Sequence, residues 1–157
     1  KHYWKFYYEV VIEMIEHDTI KLLRECDAGV KMGIKSISEV IDRVESQDFK
    51  KLLTNNKLEH EKLESEIQNH LIKVQSKGKD PEPIATGMSW LKTNVMINLN
   101  NSDSTIADLL TDGCNMGVKS LNSYLNKYKA ADEYIKDITK KLINLEERLA
   151  VDIRDYL

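Results

Sequence analysis

Apolar residues recur at intervals of three and four along most of this chain, a spacing that places them on one face of an α-helix. Such stripes run through the segments 18–44, 49–74, 105–128 and 135–153. The pattern therefore predicts four long helices. The stripe of the first helix is formed by Ile20, Leu23, Asp27, Val30, Ile34, Ile37, Ile41 and Val44.

The connections between these helices are of two kinds. Segments 46–48 and 130–132 are turns, and connections this short favour antiparallel neighbours. Both prolines of the chain lie in the loop 77–83, and a shorter helix follows over about 84–99. At about 1.5 Å per residue that helix covers roughly 22 Å, enough to carry the chain along the bundle. We therefore expect an all-α bundle of two helical hairpins joined by a crossover helix, with helix 3 antiparallel to helix 1.

One nine-residue phrase occurs twice, at residues 29–37 and again at residues 113–121. The offset is constant (113 − 29 = 84), so the second hairpin looks like a copy of the first. Each copy holds a Gly-x-x-x-Gly step, although a glycine inside a helix costs roughly 0.5–1 kcal/mol relative to alanine. We expect these glycines to let helices 1 and 3 pack closely; inheritance from the duplication and space for a ligand are the alternatives. The glycines are Gly29, Gly33, Gly113 and Gly117.

Three further phrases accompany the repeated one: residues 18–23, 87–92 and 105–110. Together these segments resemble a family of small bacterial ferritin-like four-helix-bundle proteins of unknown function. The resemblance covers roughly residues 18–157. It implies a ferritin-like fold and brings no activity with it.

Two polar residues on the predicted core stripes, Asp27 and His60, are the candidates for chemistry. The wider ferritin-like superfamily holds di-iron sites with a glutamate three residues before each histidine. Neither His60 nor His70 has such a glutamate, and the fourth helix contains no histidine. A carboxylate and an imidazole inside the bundle could still bind a metal or move a proton. The simpler interpretation is that both are structural, and the sequence predicts no cofactor.

The first seventeen residues differ from the rest of the chain. Five of its eleven aromatic residues fall within the first eight positions. Because the resemblance begins near Asp18, we divide the chain into an aromatic N-terminal extension, 1–17, and a helical bundle, 18–157. Soluble proteins usually cover an apolar surface of this kind. We expect the extension to be buried against the bundle or in a homodimer.

Composition and charge narrow the range of partners. The net charge of −3 comes without a basic stripe, which argues against a nucleic-acid partner. No apolar run approaches the length of a membrane span, so no membrane partner is expected. The two cysteines, Cys26 and Cys114, lie on or beside apolar faces, and buried free thiols favour a cytoplasmic location.

Two hypotheses about function follow from these observations. The first is a non-catalytic ferritin-like bundle that acts by protein binding or self-association. The second is a metal-binding redox or storage protein with a non-standard site in the bundle interior, at Asp27 and His60.

Overall fold

The fold is that of a computed structural model, which describes residues 2–81 and 102–157. The described residues form helices joined by turns and contain no β-strand, so the all-α prediction is confirmed for them. The predicted crossover helix at 84–99 lies outside the described residues. The described residues contain four α-helices: α1 (His2–Val40), α2 (Gln47–Lys73), α3 (Asp103–Lys127) and α4 (Glu133–Asp152). Two short 3-10 helices, Ile41–Arg43 and Arg154–Tyr156, follow α1 and α4.

Helices α2 and α4 begin where their sequences supply a capping side chain. The Ser46 hydroxyl accepts a hydrogen bond from the backbone N–H of Phe49 at the start of α2. The Asp132 carboxylate does the same for the N–H of Tyr134 at the start of α4. Each cap satisfies one of the backbone donors that a helix leaves unpaired in its first turn.

Helix α1 begins far earlier than its stripe of core residues suggests. The pattern places the start near Asp18, whereas the helix begins at His2 and is 39 residues long. No glycine or proline interrupts the chain before Gly29, so nothing in the backbone ends the helix. The aromatic extension is therefore the first part of α1 rather than a separate segment.

The contacts at the two ends of the bundle fix the directions of the helices. Asp103, at the start of α3, accepts hydrogen bonds from the N–H groups of Glu45 and Ser46, in the turn after α1. Asp18, on the N-terminal half of α1, accepts one from Ala130, in the turn after α3. Helix α3 is thus antiparallel to α1, and α2 ends at the opposite end of the bundle from the start of α3.

The core consists of two apolar clusters separated by a polar layer. The cluster nearer the turn between α1 and α2 includes Ile37, Phe49, Leu53, Ile106, Leu149 and Ile153. The other cluster includes Leu22, Leu23, Val30, Ile67, Leu121 and Leu142. Between them, α2 contributes His60 and α4 contributes Glu146, both buried. A polar pair at mid-bundle is therefore the feature around which the apolar side chains are arranged.

The expected burial of the extension against its own bundle is wrong. Nearly all of residues 3–15 are exposed along α1, and Tyr3, the outermost aromatic described, is 86% exposed. The stretch precedes the first buried core residue of the helix, Leu22, so it projects beyond the packed core.

We expect the substitution Asp103→Ala to destabilise the fold by about 1–3 kcal/mol, because the backbone N–H groups of Glu45 and Ser46 both lose their hydrogen-bond acceptor. Urea unfolding of the variant measures this change in the free energy of unfolding. The control is Asp108→Ala, an exposed carboxylate on the same helix, which should stay within about 0.5 kcal/mol of the parent. Equal stability of the two variants would contradict the role given to Asp103.

Candidate functional site

His60 and Glu146 form a buried hydrogen-bonded pair in the middle of the bundle. His60 is fully buried, and its Nε2 lies 2.8 Å from Glu146 Oε1. Its other ring nitrogen, Nδ1, lies 3.0 Å from the backbone oxygen of Asn56, one turn earlier on α2. Both nitrogens of the imidazole therefore have partners, and the ring is held in one orientation.

These partners fix how many protons the pair carries. A carbonyl oxygen only accepts, so Nδ1 must carry a proton that it donates to Asn56 O. The bond between Nε2 and Oε1 needs a second proton, supplied either by an imidazolium or by a carboxylic acid. In both arrangements the pair is neutral as a whole, with one proton shared between the two side chains.

The absence of a side chain at Gly33 makes room for this pair. A Cβ at position 33 would lie 2.6 Å from His60 Nε2 and 3.2 Å from Glu146 Oε1. The first distance is shorter than a van der Waals contact, and the ring is too well packed to move freely. Gly33 is therefore a requirement of the polar pair.

The other three repeated glycines have different surroundings. A Cβ at Gly29 would meet Leu142 of α4 at 3.4 Å, and one at Gly117 would meet Glu146 Oε2 at 3.7 Å. At Gly113, no neighbouring residue that the structure describes comes within 4 Å of such a Cβ. The nearest neighbours are thus mostly side chains of α2 and α4, which differs from the backbone-on-backbone contact of α1 with α3 that the sequence suggests.

All four glycines line one groove between α1 and α3, which we call the glycine groove. Its volume is about 210 Å³. Apolar side chains such as Met32, Leu110 and Leu121 form much of its wall. His60 and Glu146 also line it. The groove therefore combines an apolar wall with a buried polar pair.

Asp27 belongs to a separate network, at the level of the loop that follows α2. Its carboxylate accepts hydrogen bonds from Lys31 Nζ (2.8 Å), Gln68 Nε2 (2.8 Å) and the backbone N–H of Lys79 (2.9 Å). A Cβ at Gly78 would overlap Asp27 Oδ2, so the loop can approach this closely only through a glycine. Asp27 thus fixes the loop against α1 and α2, which is a structural role.

Glu64 lies beside Asp27 in this network. The Gln68 amide donates to both carboxylates, at 2.9 Å to Glu64 Oε1 and 2.8 Å to Asp27 Oδ1. The pKa of Glu64 is raised to about 7, chiefly by burial and also by the negative charge of Asp27, while Gln68 and Lys31 oppose the shift. The Glu64 Oε2 atom is buried without a hydrogen-bond partner. The ionised form of the Glu64 carboxylate is therefore disfavoured in this network.

The two thiols are held in their protonated form. Burial raises the pKa of Cys26 to about 12, and the Cys26 thiol donates a hydrogen bond to Thr139 Oγ1 at 3.1 Å. Burial, followed by the carboxylate of Glu146, raises the pKa of Cys114. Since the thiolate is the reactive form, neither cysteine is suited to act as a nucleophile.

The structure does not bring the two candidates from the sequence together. Asp27 is bound by Lys31, Gln68 and the loop, whereas His60 is bound by Asn56 and Glu146. Within the part of the chain that the structure describes, no group of three or more His, Cys, Asp and Glu side chains is arranged to hold a metal ion.

Sequence reasoning missed Glu146, the partner of His60. Glu146 lies four residues after Leu142 and three before Leu149, so it occupies the core stripe of α4. That register was the available signal. The signal is ambiguous because the adjacent residue, Leu145, is also buried and is the more usual core residue.

Comparison of the chain with models of protein families, with curated proteins and with solved structures finds no match. What the site can do must therefore be derived from its own geometry.

We expect Gly33→Ala to lower the free energy of unfolding by about 1–3 kcal/mol, because the new methyl group overlaps the imidazole of His60. The matched control is Gly117→Ala, at the equivalent position of the second repeat, where the nearest contact is ordinary. The free energy of unfolding of that variant should rise by up to about 1 kcal/mol, because alanine favours a helix more than glycine does. Urea unfolding of both proteins is the measurement, and shifts of the same sign would show that Gly33 does not serve the polar pair.

The raised pKa of Glu64 predicts a dependence of stability on pH. Between its ordinary value of 4.5 and the folded value of about 7, the folded protein binds more protons than the unfolded chain. Stability therefore falls as the pH rises through this window. Glu64→Gln should remove that contribution, so the variant should gain stability relative to the parent as the pH rises from 4.5 to 7.

The control for this prediction is Glu61→Gln, an exposed position on the same helix. Thermal midpoints of the parent and both variants, recorded from pH 4.5 to pH 8, make the comparison. A constant difference between Glu64→Gln and the parent across this range would be inconsistent with the assigned titration.

Proposed function

We propose that this chain is a ferritin-like, non-catalytic helical bundle that works by self-association through the first part of α1. We call that part, residues 2–17, the N-terminal arm. The observation that carries the proposal is the concentration of exposed aromatic and aliphatic side chains on the arm. Trp4 is 79% exposed and Phe6 70% exposed in the single chain.

The apolar residues of the arm cover most of its circumference. At about 100° per residue, they occupy roughly two-thirds of the helix surface, from Phe6 on one side to Ile12 on the other. The remaining stripe is charged and carries Lys5, Glu9, Glu13 and Glu16. A helix packed on a single neighbour needs only a narrow apolar face. The wide face of the arm therefore suits a helix with neighbours on more than one side.

A second copy of the chain is the partner that supplies a matching surface. Nine of the exposed large hydrophobic residues lie on the arm, and the others are scattered, for example Leu58, Ile72 and Met116. The arm is thus the largest apolar surface that the described residues offer to another molecule. In a symmetric assembly the same patch recurs on every copy, so the arm of one copy can pack both on the arm and on the bundle of another.

The charge of the arm disfavours a lipid surface as the alternative. Among the described residues, no helix is long and apolar enough to cross a membrane. Helices that lie on anionic membranes carry lysine and arginine on their polar face. The polar stripe of the arm instead carries three glutamates and one lysine.

The bundle itself supports the other parts of the proposal. The helix directions, with α2 and α3 running the same way, fit a ferritin-like bundle with one crossover. The described buried polar groups Asp27 and His60 have structural partners, which supports a non-catalytic role. Two buried free thiols support a cytoplasmic location.

We expect the double variant Trp4→Glu, Phe6→Glu to be monomeric where the parent forms dimers or larger symmetric assemblies. Introducing charge into an apolar contact between copies makes association costly. Size-exclusion chromatography with light scattering measures the mass. The thermal midpoint of the dissociated bundle should remain measurable, since these two side chains make no contribution to the core.

The matched control is Ile72→Glu, because Ile72 is 73% exposed but lies on α2, outside the arm. It should leave the assembly intact. A monomeric parent contradicts the proposal. So does a parent whose arm binds phosphatidylglycerol vesicles as a monomer.

A further inference from the structure

We propose that two N-terminal arms pair in antiparallel orientation, with Lys5 of each copy placed between Glu9 and Glu16 of the other. This inference rests on the proposed self-association and adds the direction of the contact. Two observations carry it: the order of apolar and charged residues around the arm, and the position of the turn that follows α3.

One apolar stripe of the arm has the spacing of a coiled coil. Trp4, Tyr8, Val11 and Ile15 follow one another at intervals of four, three and four residues. Two helices bury a shared seam at this spacing. At about 100° per residue, the stripe is in phase with Leu22, the first buried core residue of α1. Trp4 and Tyr8 are largely exposed in the single chain, so the seam is available to a second helix.

The two flanks of this stripe differ in character. At about 100° per residue, the charged residues Lys5, Glu9 and Glu16 lie on one flank, around Ile12. The opposite flank carries Tyr3, Tyr7, Val10 and Met14. Between parallel helices, opposite flanks meet, so the charged flank of one copy would face the apolar flank of the other. Between antiparallel helices, like flanks meet, and each flank then faces one of its own kind.

The order of the charges along the arm gives the charged flanks complementary signs. Lys5 comes first along this flank, and the two glutamates follow it. Antiparallel pairing therefore places Lys5 of each copy beside the glutamates of the other, twice by symmetry. Ion pairs at flanking positions select the orientation of coiled-coil partners.

The turn after α3 obstructs a parallel partner. The backbone N–H groups of Ala130 and Asp132 donate hydrogen bonds to Asp18 (3.0 Å) and to Thr19 Oγ1 (2.8 Å) on α1. Asp18 and Thr19 lie on either side of the line that the stripe follows toward Leu22. A parallel copy of α1 continues along this line toward its own bundle, so it would have to diverge where the turn begins. An antiparallel copy continues toward its bundle in the opposite direction.

Disulfide cross-linking between single cysteines determines the direction of the pair. In an antiparallel seam, Trp4 of one copy lies beside Ile15 of the other, whereas in a parallel seam each residue lies beside its own copy. We expect oxidised Trp4→Cys and Ile15→Cys proteins to remain free of cross-links when separate and to form a covalent dimer when mixed. The parent is the control, because its own thiols, Cys26 and Cys114, are buried.

Small-angle X-ray scattering of the parent gives the direction without a substitution. An antiparallel dimer should be roughly 90 Å or more in length, because two helices of 39 residues overlap only along their arms. A parallel dimer should be roughly 60 Å long. An associating parent of the shorter length, or cross-linking within either cysteine variant alone, would overturn the antiparallel direction while leaving self-association intact. A parent that light scattering shows to be monomeric would overturn both.

A matched pair of charge reversals tests the ion pairs. Glu16→Lys places like charges beside each other twice in the dimer, so we expect its dissociation constant to rise about fivefold at low ionic strength. Glu13→Lys makes the same change on the side of the arm opposite the stripe and should stay within about twofold of the parent. Sedimentation velocity measures both constants. Equal shifts in the two variants would refute the assigned contact of Lys5 with the glutamates.

Discussion

The hydrogen bond between His60 and Glu146 is the constraint on which the rest of the bundle depends. It joins α2 to α4 across the middle of the core and leaves no space for a side chain on the facing turn of α1. Three helices are therefore set in register by a single buried contact. A polar pair of this kind usually adds little net stability, because removing both groups from water costs nearly as much as their attraction provides. Its effect is on alignment: a shift of any one helix by a turn would leave a buried polar group without a partner.

The same constraint explains why the two halves of the chain are not equivalent. The glycine phrase is repeated, but the position in the second hairpin that corresponds to His60 (60 + 84 = 144) is Asn144, which is exposed. Gly33 therefore faces an imidazole that has no counterpart at Gly117. Within the described residues, two matching glycine phrases thus have different neighbours.

Much of the fold could be predicted from the sequence, and the reasons are local. The stripes of apolar residues, the capping residues Ser46 and Asp132 and the short turns are all properties of neighbouring residues. The site was harder to predict from the sequence, because two residues separated by 86 positions leave no local pattern. His60 was visible as a polar residue on an apolar stripe, but Glu146 was hidden beside Leu145 in a helix rich in charge. The start of α1 was missed because the stripe of core residues ends where the bundle ends, while the helical backbone continues.

The continuity of α1 has a mechanical consequence. Because one unbroken helix of 39 residues contains both the arm and a wall of the core, no hinge separates them. The direction in which the apolar face of the arm points is fixed by helical phase, counted from Gly33 back to Trp4. Inserting one residue between these positions would turn that face by about 100° relative to the bundle while leaving its composition unchanged. In the proposed assembly, the relative orientation of two copies would thus depend on the number of residues between the arm and the core, as well as on their identity.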